Sequence, residues 1–177
     1  SVSYWAEEYN LDGFRFDLMG IHDVTTMNQI RKELDSKFGK NTIVLYGEGR
    51  TGGDGTYDSN SAHKANESKL DYGIGYYNEQ IKEGLKGGDT FDGTIGLVQA
   101  GYVDGAYLEP NVKWPNNVFG GIMGSVGYTS GEWGMWRPFW SKSSNCCLSY
   151  VSAHDNLTLW DKLAEGSERD FASVDDK

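Results

Sequence analysis

Three acidic side chains in this 177-residue sequence, Asp17, Glu48 and Asp155, stand in surroundings that suit chemistry. The first lies in D-G-F-R-F-D-L-M-G-I-H-D, residues 12–23, where Phe14, Arg15, Phe16, Asp17 and Leu18 alternate at the period of a strand. Phe14 and Phe16 then face one way, Arg15 and Asp17 the other. A guanidinium beside a carboxylate favours the ionised form, and a charged pair on an otherwise apolar strand is costly unless it has a task. Gly20 turns the chain just beyond, so Asp17 falls near the carboxyl end of the strand, the end at which parallel α/β folds bind ligands.

The elements needed to hold such a group are legible on either side. Val2, Trp5, Ala6 and Tyr9 recur at helical spacing, and Asn10 closes that helix. After the strand, Asp23 suits an N-cap, and Val24, Met27, Ile30, Leu34 and Phe38 form an apolar stripe ending at Gly39. Thr42 to Tyr46 make a second strand, apolar almost throughout, as a parallel strand buried on both faces should be. Strand, helix and strand make one right-handed crossover. The second strand runs into Y-G-E-G, so Glu48 occupies the place that Asp17 holds in the first unit, with Gly47 and Gly49 letting the backbone turn and leaving the acid uncrowded. Taken alone, Y-G-E-G reads as an ordinary turn with a solvated acid.

Residues 50–70 are rich in Gly, Asp, Ser and Asn and read as a long loop over the same end of the sheet. Asp54, Asp58 and His63 in it could offer metal ligands, but their spacing matches no complete calcium loop and a solvated surface is the better reading. Residues 72–78 form a third strand, whose G-x-G lacks the rest of a dinucleotide fingerprint, and residues 79–86 a short helix. A Gly-rich aromatic stretch, 87–145, shows helical periodicity only over 118–126. Its Trp133, Trp136 and Trp140 suit a carbohydrate groove and packing anchors equally. C-C-L-S-Y-V-S then reads as a last strand ending in A-H-D-N, with His154 and Asp155 at its end, before L-T-L-W-D-K-L returns to helix.

The composition narrows the partners. With 16 basic against 26 acidic residues, for a net charge of −10, neither nucleic acid nor an anionic membrane suits this chain, since both need clustered Lys and Arg. A neutral ligand meets no such objection. Six Trp and eleven Tyr supply flat amphipathic rings that suit sugar faces, although each serves as well in a core. No apolar run has membrane-spanning length, and no signal segment opens the chain. It starts directly in a helix and ends in a charged tail, as a piece of a longer protein would, which leaves localisation open. Cys146 and Cys147 are adjacent, and such neighbours rarely bridge, so buried thiols are expected.

Three strand-end acids in the order Asp17, Glu48, Asp155, the first preceded by Arg15 and the last by His154, carry a resemblance. F-R-F-D, Y-G-E-G and S-A-H-D-N are similar to the second, third and fourth conserved regions of the α-amylase family of glycoside hydrolases. More narrowly, G-F-R-F-D-L-M-G-I-H-D-V-T-T-M-N, L-Y-G-E-G and V-S-A-H-D-N-L-T-L-W-D-K-L resemble the type I pullulanases, which cleave α-1,6 links in pullulan and branched α-glucans. The resemblance implies a fragment of a (β/α)8 barrel, about its fourth to seventh strands, with residues 1–177 a partial catalytic domain truncated at both ends. It implies Asp17 as nucleophile, Glu48 as general acid/base and Asp155 as the third carboxylate on the sugar hydroxyls, with Arg15 and His154 as substrate-binding partners. It implies an α-glucan substrate and no required cofactor; calcium stays open.

The family usually has Trp after G-E-G, where this chain has Arg50, which makes Arg50 a substrate-contact candidate with less apolar surface. The family's first conserved region, with its Asn and His, is not in the chain. The roles fit the residue chemistry, since a retaining glycosidase needs one ionised and one protonated carboxyl group. Arg15 adjoins Asp17, whereas the cation nearest Glu48 in sequence is Arg50. The same motifs leave two alternatives, an isoamylase-like or glucan-branching enzyme, and a non-catalytic glucan-binding relative.

Overall fold

The computed structural model describes residues 1–50, 58–87, 99–103, 114–126 and 140–165. They fall into two compact units, Ser1–Tyr77 with Trp140–Leu148, and the described residues of Asn78–Phe139 and Ser149–Lys177.

The first unit is built on a sheet. Strands β1 (Gly13–Phe16), β2 (Val44–Gly47), β3 (Ile74–Asn78) and β4 (Cys147–Ser149) lie side by side in that order. β1 and β2 run parallel with Gly13 opposite Val44 and Phe16 opposite Gly47; β2 and β3 run parallel with Leu45 opposite Ile74 and Gly47 opposite Tyr76. Helix α1 (Val2–Tyr9) ends at Asn10 in the left-handed conformation, φ 50°. Helix α2 (Val24–Phe38) connects β1 to β2. The sequence thus yields the α/β arrangement its pattern implies, a parallel sheet with flanking helices.

Helix α2 starts where expected. The Asp23 carboxylate accepts hydrogen bonds from the Thr26 amide at 2.7 Å and the Thr26 hydroxyl at 2.6 Å, satisfying one of the amides that a helix start leaves without an intrahelical partner. That side-chain bond from Thr26, with the backbone bond beside it, lowers the Asp23 pKa. The stripe packs inward: Val24, Met27, Leu45, Ile74 and Tyr76 share one core, against which Phe14 and Phe16 lean, while Leu34, Ala6 and Ile43 make a second. Removing side chains of this size from water contributes about 1.5–3 kcal/mol each.

Arg31 is buried on the same helix, a departure from the apolar stripe. Its guanidinium donates to the Ile43 carbonyl at 2.7 Å and pairs with Asp35 at 2.5 Å, so a buried cation fastens α2 to the approach of β2.

The expectation that β2 is buried on both faces needs correction. Leu45 is 1% exposed, but Val44 is 50% exposed. The cores formed with α2 take up the Leu45 side of the sheet, whereas the Val44 side lies on the opposite face.

The stretch 58–70 does cross the carboxyl end of the strands. The Asn60 carbonyl accepts from the Val24 amide at 2.7 Å, Ala62 donates to His22 at 2.8 Å and Lys64 donates to Gly49 at 3.1 Å. A 3-10 turn, Lys64–Lys69, was not legible in its composition.

In the second unit, helices α3 (Glu79–Lys86) and α4 (Trp114–Ile122) pack so closely that a Cβ on Gly121 would strike Ile81. Ser125 donates to Gln80 at 2.6 Å, and the Asn78 amide group donates to the Gly121 carbonyl at 3.2 Å. Helix α5 covers 159–165. Its start is capped by Thr158, whose hydroxyl accepts from the Asp161 amide at 3.1 Å. Among the described residues no helix is long and apolar enough to cross a membrane.

Candidate active site

Asp17 follows directly on β1, and Glu48 directly on β2, at the same end of two parallel neighbours. The alternation read from the sequence holds. Phe14 and Phe16 pack into the helix-side core, while Arg15 Nη1 pairs with Asp17 Oδ1 at 2.7 Å. The Glu48 amide donates to the Phe16 carbonyl at 3.0 Å, extending the ladder past the last paired residues.

The chain then turns sharply. Leu18 takes the left-handed conformation, φ 44° and ψ 48°, which a branched residue adopts only at a cost. This turns the Leu18 amide onto the Glu48 carboxylate, which accepts its hydrogen bond at 3.3 Å. The residue that follows Asp17 therefore holds Glu48. A strained backbone at such a point is common where a site demands it.

Gly47 and Gly49 serve Glu48 by a different means from the one expected. Neither has a positive φ. A Cβ on Gly47 would lie 2.6 Å from the Met19 Cβ and 2.7 Å from the Phe16 carbonyl oxygen, and one on Gly49 would lie 2.9 Å from Lys64 and Tyr76. What they provide is room for close backbone approach.

Two tyrosines complete the cluster. The Tyr77 hydroxyl accepts from Arg15 Nε at 2.9 Å, and the guanidinium carbon stands 5.2 Å from the centre of the Tyr77 ring. The Tyr46 ring meets that of Tyr77 edge-on at 5.6 Å. Burial, then Tyr77 beside it, raises the Tyr46 pKa. For Arg15, burial works downward but the hydrogen bonds to Asp17 and Tyr77 outweigh it, and its pKa rises. Sequence reasoning missed Leu18, Tyr46 and Tyr77; the only signal was that Tyr46 and Tyr77 share the strand parity of Arg15 in the paired register.

Arg50 is half-buried, and its carbonyl accepts from the Gly20 amide at 3.0 Å, tying the turn after Glu48 to the turn after Asp17. His154 and Asp155 belong to the second unit. There the His154 Nε2 lies 3.5 Å from Asp155 Oδ1, with both side chains about half exposed. Asp155 does not sit at a strand end as expected. β4 stops at Ser149, and 150–158 is irregular because Ser152 turns its hydroxyl to the Leu159 amide at 3.0 Å and Asn156 is left-handed, φ 64°.

The loop residues weighed as metal ligands have other duties. The Asp58 carboxylate accepts from the Asn60 amide at 2.7 Å, and His63 Nδ1 accepts from the Ala65 amide at 3.1 Å. Among the described residues no group of three His, Cys, Asp or Glu is placed to hold a metal ion. Asp54, Trp133 and Trp136 lie outside the described residues. Trp140 is a packing anchor, edge-on to Tyr76 at 5.8 Å with the Lys64 ammonium 4.6 Å from its ring. Cys146 is buried and Cys147 half-buried, both as thiols.

No protein-family model matches the chain. It is, however, 34% identical over 163 residues, 92% of its length, to a pullulanase of Bacillus subtilis. Among solved structures, the apo pullulanase of Paenibacillus barengoltzii superposes with a TM-score of 0.74 at 33% identity over 93% of the chain. The chain is a pullulanase-like partial domain. A pullulanase of Anoxybacillus sp. LM18-11 complexed with maltotetraose matches with a TM-score of 0.72 at 32% identity, over 95% of this chain and 21% of that one. The chain spans about a fifth of the length of the Bacillus relative, 20%. The open parallel sheet accordingly corresponds to a piece of a pullulanase barrel.

Proposed function

We propose that the pullulanase-like chain is part of the catalytic (β/α)8 barrel of an α-glucan debranching hydrolase, with both compact units belonging to that one domain, and that the whole enzyme cleaves α-1,6-glucosidic links with retention. The observation that carries this reading is the Arg15–Asp17 ion pair at the end of β1, set beside a second carboxylate, Glu48, that the Leu18 amide holds.

In this mechanism the ionised Asp17 attacks the anomeric carbon while Glu48 gives its proton to the departing glycosidic oxygen. The sugar is left esterified to Asp17. Water, deprotonated by the same Glu48, then displaces Asp17 and restores both groups. Arg15, paired with Asp17, holds the carboxylate in place before attack and after release. Asp155 and His154 take the role that their motif's resemblance implies, binding sugar hydroxyls. Arg50 contacts the sugar from beyond Glu48. Two carboxyl groups perform both steps, so the reading calls for no cofactor. An α-glucan ligand is supported by the maltotetraose complex of the Anoxybacillus relative.

The test is product analysis on pullulan with the full-length polypeptide that contains this chain. Maltotriose as the sole final product is expected. Newly formed α-1,6 branches, or binding of pullulan without turnover, would overturn the reading in favour of a branching enzyme or a glucan-binding protein.

A further inference from the structure

The Arg15–Asp17 pair is not held by its own strand alone. Asp17 is more than half exposed, with 57% of its side chain accessible, against 24% for Arg15. Ion pairs open to water contribute little by themselves, and an arginine side chain has about 2 kcal/mol of rotamer entropy to lose when it is fixed. A guanidinium attached to Asp17 only would therefore exchange among orientations. Here its Nη1 is on Asp17 at 2.7 Å while its Nε is on the Tyr77 hydroxyl at 2.9 Å. Two anchors on different edges of a planar fork fix its plane and direction.

Tyr77 is itself well fixed. It lies on β3, two strands from β1. In the paired register Arg15 is opposite Tyr46, which is opposite Gly75, and Tyr77 follows Gly75 at the next position of the same parity. Its ring is braced edge-on by Tyr46. Its backbone carbonyl accepts from the Lys64 ammonium at 3.2 Å. From these contacts, and resting on the reading of Asp17 as nucleophile, we infer that Tyr77 is a positioning residue: its hydroxyl orients Arg15 so that the guanidinium keeps the Asp17 carboxylate aimed. Among the described residues, Glu48, held by the Leu18 amide, Tyr46, Tyr77 and, through the Tyr77 carbonyl, Lys64 stand near the pair.

The test is Tyr77→Phe in the full-length polypeptide, which keeps the ring against Tyr46 and removes only the hydroxyl. The readout is the split of kcat against KM for pullulan, since a less well aimed nucleophile tells at the chemical step. With Arg15 less constrained, kcat falls about threefold while KM holds. The same substitution on an Arg15→Lys background adds no further loss, since the effect runs through the guanidinium.

A kcat for Tyr77→Phe equal to that of its parent, or an equal loss on the Arg15→Lys background, would overturn the inference. Asp17→Asn is measured alongside. If it silences a parent that hydrolyses pullulan and Tyr77→Phe leaves kcat unchanged, this inference alone fails. If Asp17→Asn turns over normally, the assignment of Asp17 fails and takes the role of Tyr77 with it.

Discussion

The Leu18 amide donates to the Glu48 carboxylate at 3.3 Å from a left-handed turn. One peptide unit thus couples the residue after the proposed nucleophile to the proposed acid/base. The backbone of Leu18 predicts an unusual order of tolerance. Leu18→Gly should fold well, because glycine occupies this region without a Cβ penalty. Leu18→Val should destabilise by about 1–2 kcal/mol, as a β-branched residue is least suited to it. Urea unfolding of the full-length variants decides; Val tolerated as well as Gly would mean the turn is not left-handed.

Glu48 also depends on the absence of a side chain before it. Gly47→Ala places a methyl group 2.6 Å from the Met19 Cβ and 2.7 Å from a carbonyl oxygen, and overpacking of this kind costs about 1–3 kcal/mol. Lower thermal stability together with reduced turnover on pullulan is expected. A variant as stable as its parent would show that β1 and β2 approach less closely.

The helix that follows the site carries a pH signature. Hydrogen bonds from Thr26 lower the Asp23 pKa below its ordinary 3.8. A depressed acid contributes stability that is present above the unfolded value and lost as pH falls through the folded one. Asp23→Ala should speed hydrogen exchange of the Thr26 amide at neutral pH, and the difference from the parent should close below the folded value. A difference unchanged in acid would mean that the carboxylate is not the cap.

Arg50 stands where the resemblance of the Y-G-E-G motif implies a Trp. A guanidinium can lie on a sugar face but offers less apolar contact than an indole. Arg50→Trp should tighten binding of branched oligosaccharides to the full-length protein, read by calorimetry. Unchanged affinity would remove Arg50 from the ligand contacts.

Much of the site was legible because it is local. Alternation over Phe14–Asp17 separates core from site residues, and the cap and stripe of α2 follow from helical spacing. What escaped depends on partners distant in sequence. Arg31 is buried in the apolar stripe because the Ile43 carbonyl and Asp35 receive it. Tyr77 is 62 residues from Arg15, a separation that no periodicity reports. The sequence pattern runs past the end of β4 because Y-V-S has strand propensity, whereas the Ser152 hydroxyl accepts from the Leu159 amide. The glycines flanking Glu48 stand out in the sequence, but only the neighbours Met19, Lys64 and Tyr76 show that the need is space.

The central claim is that Asp17 forms a covalent bond to the sugar, and peptide mapping tests it most directly. In the full-length Glu48→Gln variant, α-maltotriosyl fluoride still reacts, since fluoride departs without a proton from residue 48, but water attacks the ester slowly without its base. Mass spectrometry of the digested protein should then find one maltotriosyl group, on the peptide that carries Asp17, and none in the Asp17→Asn, Glu48→Gln double variant. A label on any other carboxylate, or release of product without an adduct and with inverted configuration, would contradict the account.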